Sequence, residues 1–361
     1  MKFSFFSAKI KVKNERMIKL QIGLFDQEER MEKLSKLGDS LEKLNRAIDW
    51  EKFRPILTDT LKKEAKGAGG RPPYDTVLMF KILILQRVYN LSDEQTEYQI
   101  NDRMSFMRFL GLGLEDNIPD AKTIWLFRDN LTKADVAKKL FDTFTAQMEE
   151  ANIITHTGTI VDATFMDAPR QRNNRDENAT IKAGEIPEEW KQADQKNKLR
   201  QKDTDARWTK KGNELHYGYK NHVKADAESK LITDYAVTSA NVHDSQALND
   251  LIDDTDYVLY ADSAYFGAPI FGALPSGLEI RVHEKGSRNH PLTEEQKANN
   301  KEKSRIRVRI EHIFGFMTNS LKGITVRSIG KLRAAFNAGI TNLIYNLFRY
   351  IYLCRNKFAM G

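Results

Sequence analysis

The sequence predicts an α+β fold in which an all-helical N-terminal domain precedes a mixed sheet flanked by helices. Two observations carry this. From residue 24 to 150 apolar residues recur at helical spacing, whereas after about residue 152 the period drops to two, in short β-branched runs. The 361 residues are also 40% hydrophobic, enough core for about two domains of ordinary size. The expected boundaries are 1–151 for the helical domain and 152–361 for the sheet domain, the latter carrying a charged insertion at 169–211.

In the helical half, DTVLMFKILILQRVYN (75–90) is apolar on most sides and predicts a buried helix. Ser92 with Gln95 forms a capping-box signature for the next helix, and Asp120 is placed to cap AKTIWLFRDNL. GAGGRPPYD (67–75) punctuates the chain as a Gly/Pro hinge. Arg103, Arg108 and Arg128 are scattered through this half, and no recognition helix can be read from them.

In the second half, TIVDATFM from residue 159 reads as the first strand. LHYGYKNHVKAD (215–226) alternates, with Leu215, Tyr217, Tyr219 and Val223 on one face and His216, Lys220, His222 and Lys224 on the other. An ESK turn leads to a third strand, KLITDYAVTS (230–239); YVLYAD (257–262) and LEIRVHE (278–284) follow as the fourth and fifth. SRIRVRIEHIFGFM (304–317) is a helix striped by Ile306, Ile310, Ile313 and Met317. Residues 332–354 form an amphipathic core helix striped by Leu332, Phe336, Ile340, Leu343, Leu347 and Ile351; its Asn337, Asn342, Asn346 and Arg349 argue against a membrane span. Residues 169–211 hold 12 Lys/Arg and 8 Asp/Glu with Trp190 and Trp208. That stretch is too polar for core and too long for an ordinary hairpin, so it is expected as a partly helical excursion between the first two strands.

A net charge of +7 and a pI near 9.1 favour a polyanionic partner. The lone Cys354 excludes an internal disulfide and a Cys-rich zinc site, and fits a reducing, cytoplasmic setting. The apolar stretch of MKFSFFSAKIKVK is too short for a signal-peptide core. His216, His222, His283, His290 and His312 show no zinc-like spacing, and His243 is expected to hold its loop in shape.

Asp162 sits in the middle of an apolar strand, where an ionised carboxylate is costly unless paired or bound to a metal. Asp262 ends the fourth strand and Glu311 lies in the basic helix. The order of three strands, helix, strand and helix is that of a ribonuclease H-like core, a mixed five-stranded sheet in which the first and fourth strands lie parallel and adjacent. That topology would bring the two aspartates to one end, with Glu311 beside them. Carboxylates suit magnesium, and two such ions activate the attacking oxygen and stabilise the leaving one in phosphoryl transfer.

The segments GRPPYDTVLMFKILILQRVYNLSDEQTEYQINDRMSFMRFLGL, IPDAKTIWLFRDNL, TIVDAT, DARWTKKGNELHYGYKNHVKAD, TSANVHDS, YADSAY and RVRIEHIFGFM span nearly the whole chain. Together they resemble the DDE transposases of bacterial insertion sequences, specifically the insertion-sequence-5 group. The resemblance implies an enzyme that binds terminal inverted repeats, cuts the transposon ends and joins the 3′-OH ends to target DNA. It implies a homodimer in a synaptic complex on double-stranded DNA, with Mg²⁺ (or Mn²⁺) as two ions, in a bacterial cytoplasm. The catalytic and metal-binding acids carry over to Asp162, Asp262 and Glu311.

The family's last motif runs Tyr, two residues, Arg, three residues, Glu, six residues, Lys. Arg307 and Glu311 match it; Ser304 and Thr318 depart. Lys322, one helical turn beyond Thr318 and roughly on the same face, is expected to replace the missing lysine. Arg207, Lys210 and Lys211, interleaved with Trp208, are the other DNA-binding candidates, whereas Tyr217 and Tyr219 are expected in the core. A decayed transposase that only binds DNA, and a nuclease of the same core that cuts without joining, are the alternatives.

Overall fold

The computed structural model describes residues 26–62, 72–168, 173–192, 196–265, 274–287 and 290–355. The N-terminal segment and most of the Gly/Pro hinge lie outside these residues. The chain divides into two compact units, residues 1–39 and 40–361; the first contributes α1 (Asp26–Lys36) and the second everything that follows it.

The helical part continues with α2 (Ser40–Ala47), α3 (Arg54–Leu61), α4 (Thr76–Val88), α5 (Asp93–Asp102), α6 (Met104–Leu110), α7 (Ala121–Lys133) and α8 (Ala137–Glu150). α4 is buried nearly all round, as its apolar composition demands. Asp75 caps it, accepting from the backbone N–H of Val77 at 3.0 Å and of Leu78 at 2.9 Å. Ser92 and Gln95 close the capping box on α5, and Asp120 caps α7 through the N–H of Thr123 at 2.6 Å. The scattered arginines work inside the fold. Arg103 lies over Tyr89 and Phe106, Arg108 pairs with Glu42 at 3.3 Å, and Arg128 pairs with Asp93 at 2.6 Å.

The second part runs β1 (Thr159–Asp167), α9 (Arg175–Lys182), α10 (Glu188–Lys191), α11 (Lys196–Gln201), β2 (Arg207–Lys211), β3 (Glu214–Asp226), β4 (Ile232–Ser239), α12 (Leu248–Leu251), β5 (Val258–Tyr260), β6 (Glu279–Ile280), α13 (Glu294–Asn319) and α14 (Lys331–Leu353). β3 pairs antiparallel with β1, β2 and β4, while β5 runs parallel to β1 and β6 parallel to β5. Read as β4–β3–β1–β5–β6, this is the ribonuclease H-like order, with helices flanking a mixed sheet. The sheet has six strands and not five, because the end of the expected insertion folds as β2 and hairpins onto β3 through Gly212 (φ +60°) and Asn213.

That insertion is also less peripheral than its polarity suggests. Trp190 is 1% exposed, and its Nε1 reaches Glu177 at 3.3 Å. Asp203 is buried and gathers four donors: the Tyr219 hydroxyl at 2.7 Å, the N–H groups of Asp205 and Ala206 at 3.0 Å each, and that of Gly330 at 3.1 Å. Trp208 donates to the Asn173 carbonyl at 3.1 Å and tilts against Tyr217.

Both faces of β3 are covered. Tyr217, Tyr219 and Val223 join the main core, as expected, but Lys220, His222 and Lys224 on the other face are buried as well. The segment after β4 covers them. Lys220 reaches Asp244 at 2.7 Å, and Lys224 reaches Asp253 and Asp256 at 2.8 Å each. Burying cations this way requires such partners.

One hydrophobic core joins the helices to one face of the sheet, from Leu41 to Leu347; a smaller core of Val161, Leu248, Leu251, Leu259 and Tyr265 lies on the other face. In α14, Phe336, Ile340, Leu343 and Leu347 are buried, whereas Leu332 is exposed and Ile351 half-buried. The asparagines that interrupt its apolar run are seams to the sheet. Asn342 bonds Asn221 at 2.8 Å, and Asn346 accepts from the Ile232 N–H at 2.9 Å and donates to its carbonyl at 2.7 Å. Among the described residues no helix is long and apolar enough to cross a membrane.

Candidate active site

The register between β1 and β5 positions the first two acids. Thr159 pairs with Leu259 and Ile160 with Tyr260, so Asp162 and Asp262 each lie two residues past the last parallel pair, level with one another. They share the parity of Ile160 and Tyr260, both in the core beneath α13, and so face that helix. The C-terminal ends of parallel strands are where open sheets place ligands. Each carboxylate also accepts from the next backbone N–H: Asp162 from Ala163 at 2.8 Å and Asp262 from Ser263 at 2.5 Å.

α13 packs on β1 and β5 through Ile310, Ile313 and Met317, which turns Arg307 and Glu311 toward the strand ends. Arg307 Nη1 lies 3.1 Å from Asp162 Oδ2, and its Nη2 lies 3.7 Å from Glu311 Oε1. One guanidinium therefore spans two of the three acids. Glu311 is the least committed of them, its side chain 59% exposed against 21% for Arg307. Ser304, one heptad before Glu311, bonds the Asn300 carbonyl at 2.7 Å and faces His283 Nε2 at 3.3 Å.

The electrostatics mark Asp162. Burial pushes its carboxyl above the usual aspartate range and the neighbouring Asp262 adds to this, against the pull of the Ala163 N–H, Arg307 and Lys211. Burial, then Asp244, Asp162 and Asp262, push the Tyr265 hydroxyl well up, so it stays protonated. His222, beneath the site and opposite Ala163, is held neutral by burial, its pKa brought down to about 4. His283 is lowered by burial and by Arg307.

Two buried polar atoms beside these carboxylates have no hydrogen-bond partner among the described residues: Arg307 Nε and the Tyr265 hydroxyl. Such atoms are rare in a finished interior, and they leave capacity for a polar ligand. The donor set, all carboxylate oxygen, suits a hard divalent cation. Among the described residues, however, no three His, Cys, Asp or Glu side chains converge closely enough to hold an ion. Arg307 holds the place between Asp162 and Glu311.

Residues 28–130 match the family described as Transposase domain (DUF772), and residues 154–347, more than half of the chain, match Transposase DDE domain. The chain belongs to the DDE transposases. As a DDE transposase it acts on DNA with a divalent metal. A solved structure, the cryo-EM synaptic complex of piggyBac transposase with hairpin DNA, aligns at a TM-score of 0.43 and 12% identity, over 90% of this chain and 75% of that one.

The remaining sequence candidates divide. Lys210 and Lys211 are exposed at the tip of the β2–β3 hairpin, and Lys211 is close enough to act on Asp162. Arg207 is turned inward, donating to the carbonyls of Thr204 at 2.6 Å and Ala206 at 3.0 Å. Lys322 is exposed, but α13 ends at Asn319 and Lys322 occupies a left-handed turn (φ +57°), so the helical spacing that linked it to Thr318 does not hold. Thr318 itself is exposed on the face of Glu311. His243 caps the short helix after it, its Nδ1 2.8 Å from Ser245 Oγ. Sequence reasoning missed Tyr265 as a neighbour of the acids. The spacing of YADSAY, which returns Tyr265 one tight turn after Asp262, was the available signal.

Proposed function

We propose that this transposase belongs to the insertion-sequence-5 group of bacterial elements, binds the terminal inverted repeats of its own element, cuts the DNA at each end and joins the freed 3′-OH to target DNA. The observation that carries the reading is the level placement of Asp162 and Asp262 at the ends of two parallel strands, under the helix that bears Glu311.

In this reading Asp162, Asp262 and Glu311 hold two magnesium ions, and manganese can substitute. The ions supply activation of the attacking oxygen and stabilisation of the leaving one. Arg307 must give up its 3.1 Å contact with Asp162 before that carboxylate is free, and a DNA phosphate is a competing partner for the guanidinium. Tyr265, kept protonated, is a hydrogen-bond donor beside the acids. Lys210, Lys211 and Lys322 meet the backbone of the DNA, while Arg207 supports the turn before β2. Residues 1–151 would recognise the terminal repeat and dimerise, and residues 152–361 would cut and join.

A second reading is a DNA-binding protein that no longer cuts. It is favoured by Ser304 and Thr318, which replace the motif's tyrosine and lysine, and by the position of Lys322 off the helix. A labelled duplex bearing the element's own end, incubated with Mg²⁺, Mn²⁺ or EDTA, separates the two. Metal-dependent cut and joined products, lost in Asp262→Asn, are expected. Tight end binding with no product from folded wild type would establish the second reading; cut ends without joined products would indicate a nuclease.

A further inference from the structure

α4, α5, α7 and the chain from Thr325 to Ile340 enclose a cavity of about 400 Å³. Arg87, on its wall, is half-buried, and every partner of its guanidinium is neutral: Thr341 Oγ1 at 2.8 Å, the Leu321 carbonyl at 3.0 Å and the Gly323 carbonyl. Beside it Arg327 is exposed and donates to Asn90 Oδ1 at 3.0 Å. Among the described residues neither arginine forms an ion pair. The wall's acids are no help: Asp93 is taken by Arg128 at 2.6 Å, Asp129 by Lys133 at 2.6 Å and Arg333 at 3.3 Å, and Glu94 is exposed.

A buried cation without counter-charge is costly, more so beside a second one. Burial, with Arg327 adding repulsion, brings the Arg87 pKa down to about 10. The positive charge that Arg87 and Arg327 bring to the cavity is thus not neutralised by an ion pair among the described residues. The cavity also presents Trp125, 47% exposed, as a stacking face.

We propose that this cavity takes a phosphate of the DNA backbone, held by Arg327 with Arg87 behind it, and stacks an adjoining unpaired nucleotide on Trp125. The inference rests on the reading of the chain as a protein that binds transposon ends. A phosphodiester fits better than a free phosphate because the charge continues along the chain. Lys322, between the two carbonyls that Arg87 grips, and Lys331, at the start of α14, are both exposed. An extended polyanion can use that run, and a mononucleotide cannot.

The test measures anisotropy of a labelled end duplex and of an unrelated duplex, each carrying an unpaired nucleotide at one end, over a salt series, with wild type, Arg327→Ala and Trp125→Ala. Arg327→Ala is expected to weaken both duplexes alike and to lower the salt slope by about 1. Trp125→Ala is expected to lose about tenfold in affinity. Inorganic phosphate and a deoxynucleoside monophosphate are added in parallel while Trp125 fluorescence is followed, with Trp125→Phe as the blank. Saturable quenching by either, with duplex binding unchanged in Arg327→Ala, overturns the DNA assignment in favour of a small-phosphate site. Wild type that cuts ends while both alanine variants bind them normally overturns the pocket and leaves the strand-cutting reading standing. Weakened variants beside a wild type that never cuts support the pocket and remove the cutting reading.

Discussion

Two aspartates of the sheet region, Asp203 buried and Asp162 half-buried, have opposite surroundings. Asp203 is 2% exposed and surrounded by neutral donors that arrive from β3, from its own turn and from the start of α14. Asp162 has one backbone donor, one arginine shared with Glu311, and a second carboxylate for a neighbour. The first arrangement is closed, since every donor needs that oxygen and nothing else competes for it. The second is open, since its main partner can leave and its own ionisation is disfavoured. The first arrangement suits a structural carboxylate, and the second suits the role proposed for Asp162.

The largest effect should come from Asp203→Ala. It strands the Tyr219 hydroxyl and the Ala206 N–H in the interior and also removes the acceptor of the Asp205 and Gly330 N–H groups. We expect a loss of about 3–5 kcal/mol in chemical denaturation, from several donors losing a charged acceptor at once. A loss under about 1 kcal/mol would mean that water replaces the carboxylate and that the hub is not closed.

Tyr219→Phe sharpens the same point. The hydroxyl reaches both Asp203 oxygens, at 2.7 and 2.8 Å, so its removal deletes one donor of the set and leaves the rest. The expected cost is about 1.5–3 kcal/mol, the range for a hydrogen bond to a charged group. Because the two residues share one network, the double variant should cost less than the sum of the single ones.

The two aspartates also differ in how well the sequence announces them. Asp162 is legible because an acid inside TIVDATFM conflicts with its strand, and such conflicts mark function. Asp262 and Glu311 follow from the order of elements, and the β1–β5 register bears out their shared end of the sheet for the aspartates. Asp203, in QKDTDARW, reads as loop because its sequence neighbours are polar. Its partners Tyr219 and Gly330 are 16 and 127 residues away, a separation that no local pattern reports. The same holds for Lys220, His222 and Lys224. Alternation assigns them a shared face correctly, but only the later acids at 244, 253 and 256 decide that this face is buried. The end of α13 was misjudged for a local reason. Helical spacing carries Asn319 on to Lys322, but Lys322 (φ +57°) and Gly323 (φ +73°) form the left-handed turn that follows the end of α13.

The smallest effect, and the one with the opposite sign, belongs to Asp162→Asn. The site disfavours the ionised carboxylate, through burial first and Asp262 second, so an uncharged isostere should raise stability by about 1 kcal/mol near neutral pH. The pH dependence gives the test its force. The folded-state pKa of Asp162 lies above the unfolded value, so folding favours the protonated acid. The penalty in wild type is therefore fully present above the folded pKa, shrinks as pH falls through it, and is gone below the unfolded value. The melting-temperature advantage of Asp162→Asn should fall away over that same acid window. His222 titrates in an overlapping range: held neutral with a pKa of about 4, it costs both proteins stability as pH drops from its ordinary value, and so cancels in the difference. An advantage that persists unchanged at low pH would assign it to packing rather than charge. A loss of stability at every pH would show that Arg307 depends on Asp162 more than Asp162 suffers from its burial, and the division between closed and open carboxylates would fail at the site where it matters most.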